Sequence, residues 1–386
     1  MKKVLQISNY YYPNIGGIEQ VARDISNVIK DDPEYEVKVI CFNEDSKDGE
    51  HVCYRKQTIH DWVDGVEIIK CGCFTKVSSQ SLSLVFGREL KNILDDYDPD
   101  VIIFHYPNPF QAYYILKYIE RKTKLVLYWH LDITKQKILK HLFKKQNLDL
   151  IERMECVLGA TPMHTETSEF TPFFGNKKRV LPYMIDTRSL VLSDEEKQKA
   201  IQIRKQYKDQ IIGFFIGRHI PYKGLKYLID ASRELNDIPV KFIIAGSGEL
   251  TDELKKQASP DKKVEFVGRI SDSDRRSYYE ASDLICFPSI TRNEAFGLAL
   301  AEGMYFGKPA VTFHINGSGV NYVNLADVTG IECPNCDSHA YAQAIRKLAL
   351  DSKLRSRMGR AARQRVIDNF TEERFRENIL SLLEEL

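Results

Sequence analysis

The sequence predicts an α/β protein in which two doubly wound, parallel-sheet domains follow one another along the chain. Its 386 residues correspond to two domains at about 100–200 residues each. Short apolar runs alternate with helical patterns from end to end, which is typical of a parallel sheet with helices on both faces. The alternation starts afresh after Asp186, so we place the domain boundary beside it, between residues 185 and 186.

Six apolar runs in the first half are expected to form buried strands, because most of them follow a turn or a charge cluster and precede a helical pattern. They are residues 4–7, 37–42, 101–104, 125–129, 156–158 and 180–181. Residues 182–186 read as a linker, since Pro182 fixes the exit from the last strand. The first domain is therefore expected to cover residues 1–185.

The second half repeats the pattern. Five strands are predicted at residues 211–216, 240–245, 264–267, 284–287 and 310–312, and the helices between them lie near 193–207, 224–236, 249–257, 272–281 and 295–305. Three further helices, near 337–350, 352–368 and 372–385, end the chain. We expect a second domain over residues 186–370 and a separate C-terminal helix over 371–386.

Composition narrows the function classes. Lysine and arginine total 55 against 54 acidic residues, a net charge of +1, so nothing in the overall charge favours a nucleic-acid binder. The longest apolar runs are far too short to span a bilayer. The N-terminal apolar run is interrupted by Gln6 and reads as a strand rather than a signal peptide. The sequence therefore predicts a cytoplasmic protein.

The cysteines are expected to be reduced thiols without a metal. The chain has eight of them, and a large chain that lacks a secretion signal does not need disulfides. Cys333 and Cys336 form one CxxC pair, but a structural zinc site needs four ligands and no second CxxC pair exists. No metal or cofactor is predicted.

Two strand-to-helix turns could hold an anion. Gly16 and Gly17 follow the first strand, and adjacent glycines allow the backbone to approach a ligand closely, although an ordinary tight turn would look the same. Arg218 and Lys223 flank a turn directly after the first strand of the second domain. Two cations beside a helix N-terminus can hold a diphosphate, whereas two solvated surface charges are the alternative.

Two acids and a histidine are the other candidates. Glu294 and Glu302 are eight residues apart with only apolar residues or glycine between them. On one continuous helix they would share a face, roughly 12 Å apart. Buried acids are costly unless each binds something, so we expect them to bind two hydroxyl groups of one long ligand or, failing that, to be capping or ion-paired acids. His130 ends a strand, where it could donate to a sugar hydroxyl or be a core histidine whose hydrogen bonds are internal.

Together these motifs resemble the retaining glycosyltransferases of family 4. The shared motifs are the Gly16–Gly17 loop, the run from Gly217 to Gly224, the turn from Ala245 to Glu249, residues 266–268 and the two acids, in the family's order and spacing. The stretches 130–137 and 317–324 are similar to a branch rich in bacterial polysaccharide mannosyl- and hexosyltransferases. The resemblance implies the GT-B fold, two Rossmann-like domains that face an interdomain cleft, with an N-terminal acceptor domain, a C-terminal nucleotide-sugar domain and a final helix that crosses back to the first domain.

The resemblance also assigns roles. Arg218 and Lys223 would hold the donor diphosphate, Glu294 the donor sugar and Glu302 the ribose, with His130 near the anomeric centre. The remaining donor-binding positions would be the loops and amides of Gly16, Gly17, Gly246, Gly248, Arg269, Ile270, Phe296, Gly297 and Leu298. The polar run 291–293 departs from many relatives and leaves the preference of the donor pocket open.

The predicted chemistry is metal-independent transfer with retention. Arg218 and Lys223 would stabilise the departing diphosphate without a metal ion. The acidic strings at residues 96–100 precede a strand rather than follow it, the wrong end for a ligand, so we interpret them as a turn. No carboxylate is an obvious nucleophile at the anomeric carbon, which favours a front-face substitution over a covalent double displacement.

The acceptor side carries a basic, amphipathic segment. Residues 133–146 contain no acid and include Lys135, Lys137, Lys140, Lys144 and Lys145. Such a segment suits an anionic membrane surface, whereas a solvated helix face is the alternative. A membrane contact would make the acceptor a lipid-linked glycan and place the enzyme peripherally on the inner face of the cell membrane.

The sequence therefore predicts a glycosyltransferase that moves a hexose from a nucleotide sugar, GDP-mannose ahead of UDP-hexose, to a glycan or a lipid-linked glycan in cell-surface polysaccharide synthesis. Two other classes stay open. One is a GT-B-fold sugar-nucleotide epimerase, against which Glu294 and the basic segment argue mildly. The other is a non-enzymatic two-domain binding module, which would not need the paired cations and acids.

Overall fold

The structure is a computed structural model that describes residues 1–14, 17–47, 50–53, 57–77, 80–132, 137–259 and 261–386. Within the helices and strands, the side chains of residues 45–47, 50–53, 77, 80 and 137–142 are not described. The chain divides into two compact units. Unit 1 comprises Met1–Pro182 and Phe375–Leu386, and unit 2 comprises Tyr183–Arg374.

Unit 1 is built on a large, mainly parallel sheet. Its strands in chain order are β1 Lys2–Ile7, β2 Tyr35–Phe42, β3 Glu44–Lys47, β4 Glu50–Cys53, β5 Ile59–Val63, β6 Val66–Cys71, β7 Thr75–Val77, β8 Gln80–Leu82, β9 Val101–Tyr106, β10 Lys124–Trp129, β11 Cys156–Gly159 and β12 Lys178–Val180. Over the described ranges, eight strands form the main sheet in the order β12-β11-β10-β9-β1-β2-β6-β5, in which only the β5–β6 pairing is antiparallel. The pairs β3–β4 and β7–β8 are separate hairpins. The helices of the unit's first segment are α1 Gly17–Lys30, α2 Phe86–Tyr97, α3 Pro109–Tyr118, α4 Lys137–Arg153, α5 Pro162–Glu166 and α6 Thr171–Phe174.

Unit 2 is a doubly wound domain with an all-parallel sheet. Its strands are β13 Ile211–Ile216, β14 Val240–Ala245, β15 Val264–Gly268, β16 Leu284–Phe287, β17 Ala310–Phe313 and β18 Gly330–Cys333, in the spatial order β15-β14-β13-β16-β17-β18 over the described residues. The remaining helices are α7 Asp194–Gln206, α8 Leu225–Arg233, α9 Thr251–Ala258, α10 Asp272–Ala281, α11 Leu298–Tyr305, α12 Val320–Val323, α13 Ser338–Leu350, α14 Ser352–Asn369 and α15 Glu372–Glu385.

The central strands are buried because helices cover both faces of each sheet. In β9, for example, all six residues are buried, including His105. A strand buried on both faces loses its alternation of polar and apolar residues, and the sequence then shows a continuous apolar run. This explains why the apolar runs 4–7, 101–104 and 125–129 could be predicted as strands from the sequence.

The sequence prediction missed every strand between β2 and β9 as well as β18, and two of these, β6 and β18, are parallel strands of the main sheets. Strand β6 pairs with β2 in parallel, and β18 pairs with β17. The sequence of β6 contains Glu67 and Lys70, which interrupt its apolar run. Glu67 forms an ion pair with Lys38 of the neighbouring strand at 2.8 Å. The charge that interrupts the apolar run of β6 is therefore neutralised by a cross-strand partner.

The last helix, α15, joins the N-terminal segment of unit 1 from Phe375 onward. Its apolar stripe is buried, the Lys2 ammonium donates to the carbonyl of Leu383 at 2.6 Å, and Arg376 pairs with Asp32 at 3.2 Å. The units divide after Pro182 and Arg374, whereas the boundaries predicted from the sequence follow residues 185 and 370.

Strand order identifies the edge at which a ligand is expected in each unit. Ligands of doubly wound sheets bind outside the carboxyl ends of the strands, where the direction of winding reverses. In unit 2 this point lies between the neighbouring strands β13 and β16. In unit 1 it lies between β1 and β9. Among the described residues, no helix is both long and apolar enough to cross a membrane.

Candidate active site

The loop after β13 brings Lys223 to the loop after β16. Pro221–Lys223 form one turn of 3₁₀ helix that ends at Gly224, which has a φ of 62°. A Cβ atom at Gly224 would lie 2.1 Å from the carbonyl oxygen of Pro288. Only glycine allows both this backbone conformation and this approach, so Gly224 is what permits the two loops to pack.

Lys223 and Glu294 form a nearly buried ion pair at this edge. The Lys223 ammonium contacts Oε2 of Glu294, and the Ser289 hydroxyl donates to the same oxygen at 2.9 Å. The two side chains are only 12% and 10% exposed. Lys223 also lies 5.1 Å from the centre of the Phe287 ring. Because water hydrates neither charge well, each charge needs the other for its stabilisation. The ion pair therefore fixes the positions of both side chains.

Arg218 differs from Lys223 because it is exposed. Its guanidinium donates a long bond of 3.4 Å to the Tyr222 hydroxyl. The structure therefore provides one nearly buried cation and one cation that faces solvent in the same loop. The exposed guanidinium can meet an incoming phosphate at little desolvation cost.

The glycines after β14 are required by close packing within unit 2. A Cβ atom at Gly246, whose φ is 113°, would lie 2.0 Å from the carbonyl oxygen of Gly217, and one at Gly248 would lie 2.5 Å from that of His219. The amide of Gly246 donates to Gly268 at 2.7 Å. These contacts account for Gly246 and Gly248 without a ligand, so their predicted role in donor binding rests on the resemblance alone.

Arg269 and Ile270 follow β15, at the same edge of the sheet. The Arg269 guanidinium donates to the Ser247 hydroxyl at 2.7 Å, and the side chain is exposed, while Ile270 is half-buried. Arg269 therefore links the loop after β15 to the loop after β14.

The expectation that Glu294 and Glu302 share one helix face is wrong. Helix α11 begins only at Leu298, and Glu294 lies in the preceding loop. Gly297 has a φ of 91°, a conformation that a helix interior cannot adopt, so the helix cannot extend back to Glu294. Phe296 is buried between the rings of Tyr183 and Phe370, with centroids at 5.4 and 5.2 Å. This packing fixes the loop that carries Glu294.

Glu302 has its own partners on α10. The Tyr279 hydroxyl donates to one carboxylate oxygen at 3.1 Å, and the Arg275 guanidinium lies 3.2 Å from the other. Burial raises the pKa of Glu302, and the nearby Arg275 opposes that rise. Sequence reasoning missed Ser289, Tyr279 and Arg275, since no motif marks them.

In unit 1, His130 lies at the end of a buried chain of polar side chains. It follows β10, is 2% exposed, and its Nε2 lies 3.1 Å from Nδ1 of His105. Nε2 of His105 in turn lies 2.8 Å from Oε1 of Gln6. Burial, with smaller contributions from His105 and His164, lowers the pKa of His130 well below its ordinary value. His130 is therefore neutral at pH 7.

Several predicted positions lie partly or wholly outside the described residues. Gly17 is the first residue of α1, whereas Gly16 and Lys135 are not described. Lys137 and Lys140 belong to α4, but their side chains are not described. The last two lysines of the segment, Lys144 and Lys145, are exposed on α4.

In the described part of the chain, no three His, Cys, Asp or Glu side chains come close enough to hold a metal ion. The cysteines whose side chains are described are all free thiols, and among them only Cys336 is exposed.

Two family models match consecutive parts of the chain. The model described as "Glycosyltransferase Family 4" matches residues 15–187, and the one described as "Glycosyl transferases group 1" matches residues 196–365. The first covers much of the N-terminal segment of unit 1, including His130. The second covers the part of unit 2 that holds Lys223, Glu294 and Glu302.

Two curated proteins are similar over most of their length. The chain is 28% identical over 382 residues to the O-antigen chain mannosyltransferase C of Escherichia coli, covering 96% of this chain and 94% of that protein. It is 31% identical over 301 residues to the D-rhamnosyltransferase WbpZ of Pseudomonas aeruginosa, covering 77% and 76%.

Solved structures share the fold over the whole chain. A glycosyltransferase from Rickettsia africae has a TM-score of 0.77 at 17% identity and covers 100% of this chain and 98% of that one. The Anabaena protein HepE, solved with UDP and glucose, has a TM-score of 0.72 at 18% identity and covers both chains completely. The architecture is that of the GT-B glycosyltransferases.

Proposed function

The chain belongs to the family 4 glycosyltransferases, and from that premise we propose that it moves a hexose, with retention, from a nucleoside-diphosphate sugar to a glycan or lipid-linked glycan in cell-surface polysaccharide synthesis. GDP-mannose is the preferred donor of this proposal and a UDP-hexose the second. The similarity to an O-antigen mannosyltransferase over 94% of that protein supports mannose as the transferred sugar and a cell-surface polysaccharide as the product class.

The observation that carries the proposal is the pair formed by Lys223 and Glu294 at the carboxyl ends of β13 and β16. Transfer leaves a nucleoside diphosphate whose negative charge grows as the bond to the sugar breaks. An ammonium group that is held in position and shielded from water stabilises that charge more than water does. Lys223 has this character, and Arg218 adds a second cation from the solvent side.

Glu294 is proposed to accept hydrogen bonds from hydroxyls of the donor sugar. One of its oxygens is already engaged by Lys223 and Ser289, which makes the carboxylate a poor nucleophile. This supports front-face substitution. The bond between the anomeric carbon and the diphosphate oxygen breaks, a bond to the acceptor hydroxyl oxygen forms on the same face, and the hydroxyl proton leaves with the diphosphate.

Three further roles complete the proposal. Glu302, fixed by Tyr279 and Arg275, is proposed to accept from the ribose hydroxyls. The backbone at Arg269 and Ile270 is proposed to meet the base, and His130 to act at the transferring sugar. Each of these assignments is supported by the match of its position to the family motif.

The acceptor is proposed to reach the enzyme at a membrane surface. Lys144 and Lys145 are exposed on α4, and the basic composition of residues 133–146 suits anionic headgroups. Sedimentation with vesicles that contain anionic phospholipid, compared with purely zwitterionic vesicles, tests this contact. Equal binding to both kinds of vesicle, or binding to neither, would contradict it.

The experiment that tests the function is donor screening with the purified protein. A true donor or its nucleoside diphosphate stabilises the fold by about 2.7 kcal/mol at a concentration 100 times its Kd. We expect GDP-mannose and GDP to raise the melting temperature. We also expect the enzyme to release GDP from GDP-mannose slowly in water alone and faster when a glycan acceptor is added. Conversion of the sugar nucleotide to its epimer without an acceptor would identify the epimerase, and stabilisation without any turnover would identify a binding module.

A further inference from the structure

A backbone carbonyl of α1 fixes the orientation of the Gln6 side chain. The Gln6 amide nitrogen donates to the carbonyl oxygen of Ala22 at 2.9 Å and to the Ser26 hydroxyl at 2.6 Å. A carbonyl oxygen can only accept a hydrogen bond. Turning the amide over would set two oxygens against each other at 2.9 Å, so the Gln6 nitrogen must face α1 and its oxygen must face away.

The Gln6 oxygen then determines which nitrogen of His105 carries the proton. It lies 2.8 Å from Nε2 of His105, so this nitrogen must be the donor. His105 is completely buried, and burial lowers its pKa to about 3. The ring is therefore neutral at pH 7, and its other nitrogen, Nδ1, has a lone pair and no hydrogen.

The same reasoning applies to the protonation of His130. Its Nε2 lies 3.1 Å from the lone pair of His105 Nδ1. The two rings are within 9° of parallel with centroids 5.3 Å apart, as expected for rings that lie side by side and share an in-plane hydrogen bond. Two acceptors cannot bond to each other, so Nε2 of His130 must carry the hydrogen.

We propose that Gln6 and His105 are positioning residues that hold His130 in the Nε2–H tautomer, in which Nδ1 can accept a hydrogen bond but cannot donate one. The sequence predicts that His130 donates to a sugar hydroxyl, and this tautomer reverses the direction of that hydrogen bond. That the hydroxyl belongs to the transferring sugar rests on the proposed function, whereas the tautomer itself does not. An acceptor nitrogen at this position orients a hydroxyl group through the hydroxyl's own proton.

The tautomer can be measured directly. In protein with ¹⁵N-labelled histidine, His130 should give a protonated Nε2 and an unprotonated Nδ1 at pH 7.5, with its signals assigned by their loss in His130→Gln. A protonated Nδ1 on His130, or a ring protonated on both nitrogens, would overturn the proposal. This readout requires neither a donor nor an acceptor, so it stands even where no transferase activity is found.

A pair of variants separates positioning from simple destabilisation. Gln6→Leu removes the oxygen that selects the His105 tautomer, while Ser26 continues to donate to the Ala22 carbonyl at 2.9 Å. His105 can then donate through Nδ1, and His130 should shift toward the Nδ1–H form. Ser26→Ala is the matched control, because it removes a buried hydroxyl from the same cluster but leaves the bond between Gln6 and Ala22.

We expect Gln6→Leu to lower kcat about 10-fold or more, since a catalytic histidine in the wrong tautomer cannot make its hydrogen bond. Binding of free nucleoside diphosphate should be unchanged, because Gln6 lies in unit 1 and the two cations proposed to hold the diphosphate, Arg218 and Lys223, lie in unit 2. Ser26→Ala should keep both the wild-type tautomer and a near-normal kcat. Equal losses of kcat in the two variants with an unchanged His130 tautomer would refute the positioning role.

Discussion

Lys223 and Glu294 are 71 positions apart in the chain and form an ion pair in which neither side chain is more than 12% exposed. Ser289 holds the same carboxylate oxygen. The pair joins the loop after β13 to the loop after β16, and it is both part of the proposed donor site and a structural link within unit 2.

The first prediction concerns Lys223→Ala. Removing one partner of a buried ion pair leaves an unpaired charge and costs about 3–5 kcal/mol of stability. It also removes a charged hydrogen bond to the diphosphate, which should weaken nucleoside diphosphate binding by ~1.5–3 kcal/mol. Urea denaturation measures the first effect and isothermal calorimetry the second.

Lys226→Ala is the control for that experiment, since Lys226 is an exposed lysine on the following helix, α8. It should change neither quantity by more than about 0.5 kcal/mol. If Lys223→Ala binds the nucleoside diphosphate as tightly as wild type, Lys223 does not hold the diphosphate.

The second prediction is a loss of stability in mild acid. Burial lowers the pKa of His105 to about 3 and of His164 to about 4, while unfolded histidine has a pKa near 6.5. Between those values the unfolded chain binds more protons than the folded chain, so stability is complete above about pH 6.5 and falls as the pH decreases. At pH 5 each buried histidine should cost about 2 kcal/mol relative to pH 7.

The variant His105→Gln tests this prediction when its stability is compared with that of wild type at several pH values. It removes one titrating group, so its stability deficit relative to wild type should shrink by about 2 kcal/mol between pH 7 and pH 5. Urea midpoints at pH 5, 6 and 7.5 give the comparison. A deficit that stays constant over this range would show that His105 does not contribute to the pH dependence.

The third prediction compares two glycines with positive φ. Gly246 and Gly268 both occupy backbone conformations that favour glycine, but a Cβ atom would meet the Gly217 carbonyl at 2.0 Å in the first and nothing within 4 Å in the second. Gly268→Ala should cost only the conformational penalty, about 1–2 kcal/mol. Gly246→Ala should cost at least about 3 kcal/mol, because the backbone must also move. Equal costs in urea denaturation would contradict the packing argument.

The fourth prediction concerns the C-terminal helix. Ile379 on α15 is completely buried within unit 1, so Ile379→Ala should destabilise the protein by about 2–5 kcal/mol. Ser381→Ala, at an exposed position of the same helix, should have little effect on the melting temperature. A melting temperature for Ile379→Ala that matches the control would show that the stripe of α15 does not stabilise the protein.

The fifth prediction is metal-independent transfer. Lys223 and Arg218 are proposed to neutralise the departing diphosphate in place of a divalent cation. Activity measured in excess EDTA should therefore equal the activity of untreated enzyme. Complete loss of activity in EDTA, with recovery on addition of Mg²⁺ or Mn²⁺, would disprove this.

The sequence by itself determined that two series of alternating strands and helices follow one another, because helix and strand periodicity are local properties of the chain. It also determined the family, because the spacing of Arg218, Lys223, Glu294 and Glu302 is a property of the chain. It did not reveal strand β6, since the charge of Glu67 breaks the apolar run and is neutralised only by a neighbouring strand.

The tertiary structure alone decided which side chains meet. Helix α11 starts after Gly297 because of that residue's positive φ, which separates Glu294 from the helix that carries Glu302. The partners of the candidate residues come from distant parts of the chain, as His105 and Gln6 are 99 positions apart. Pattern and propensity depend on near neighbours, whereas ion pairs, hydrogen-bond direction and histidine tautomers depend on which groups burial brings within about 3 Å. Only the packed fold contains that information.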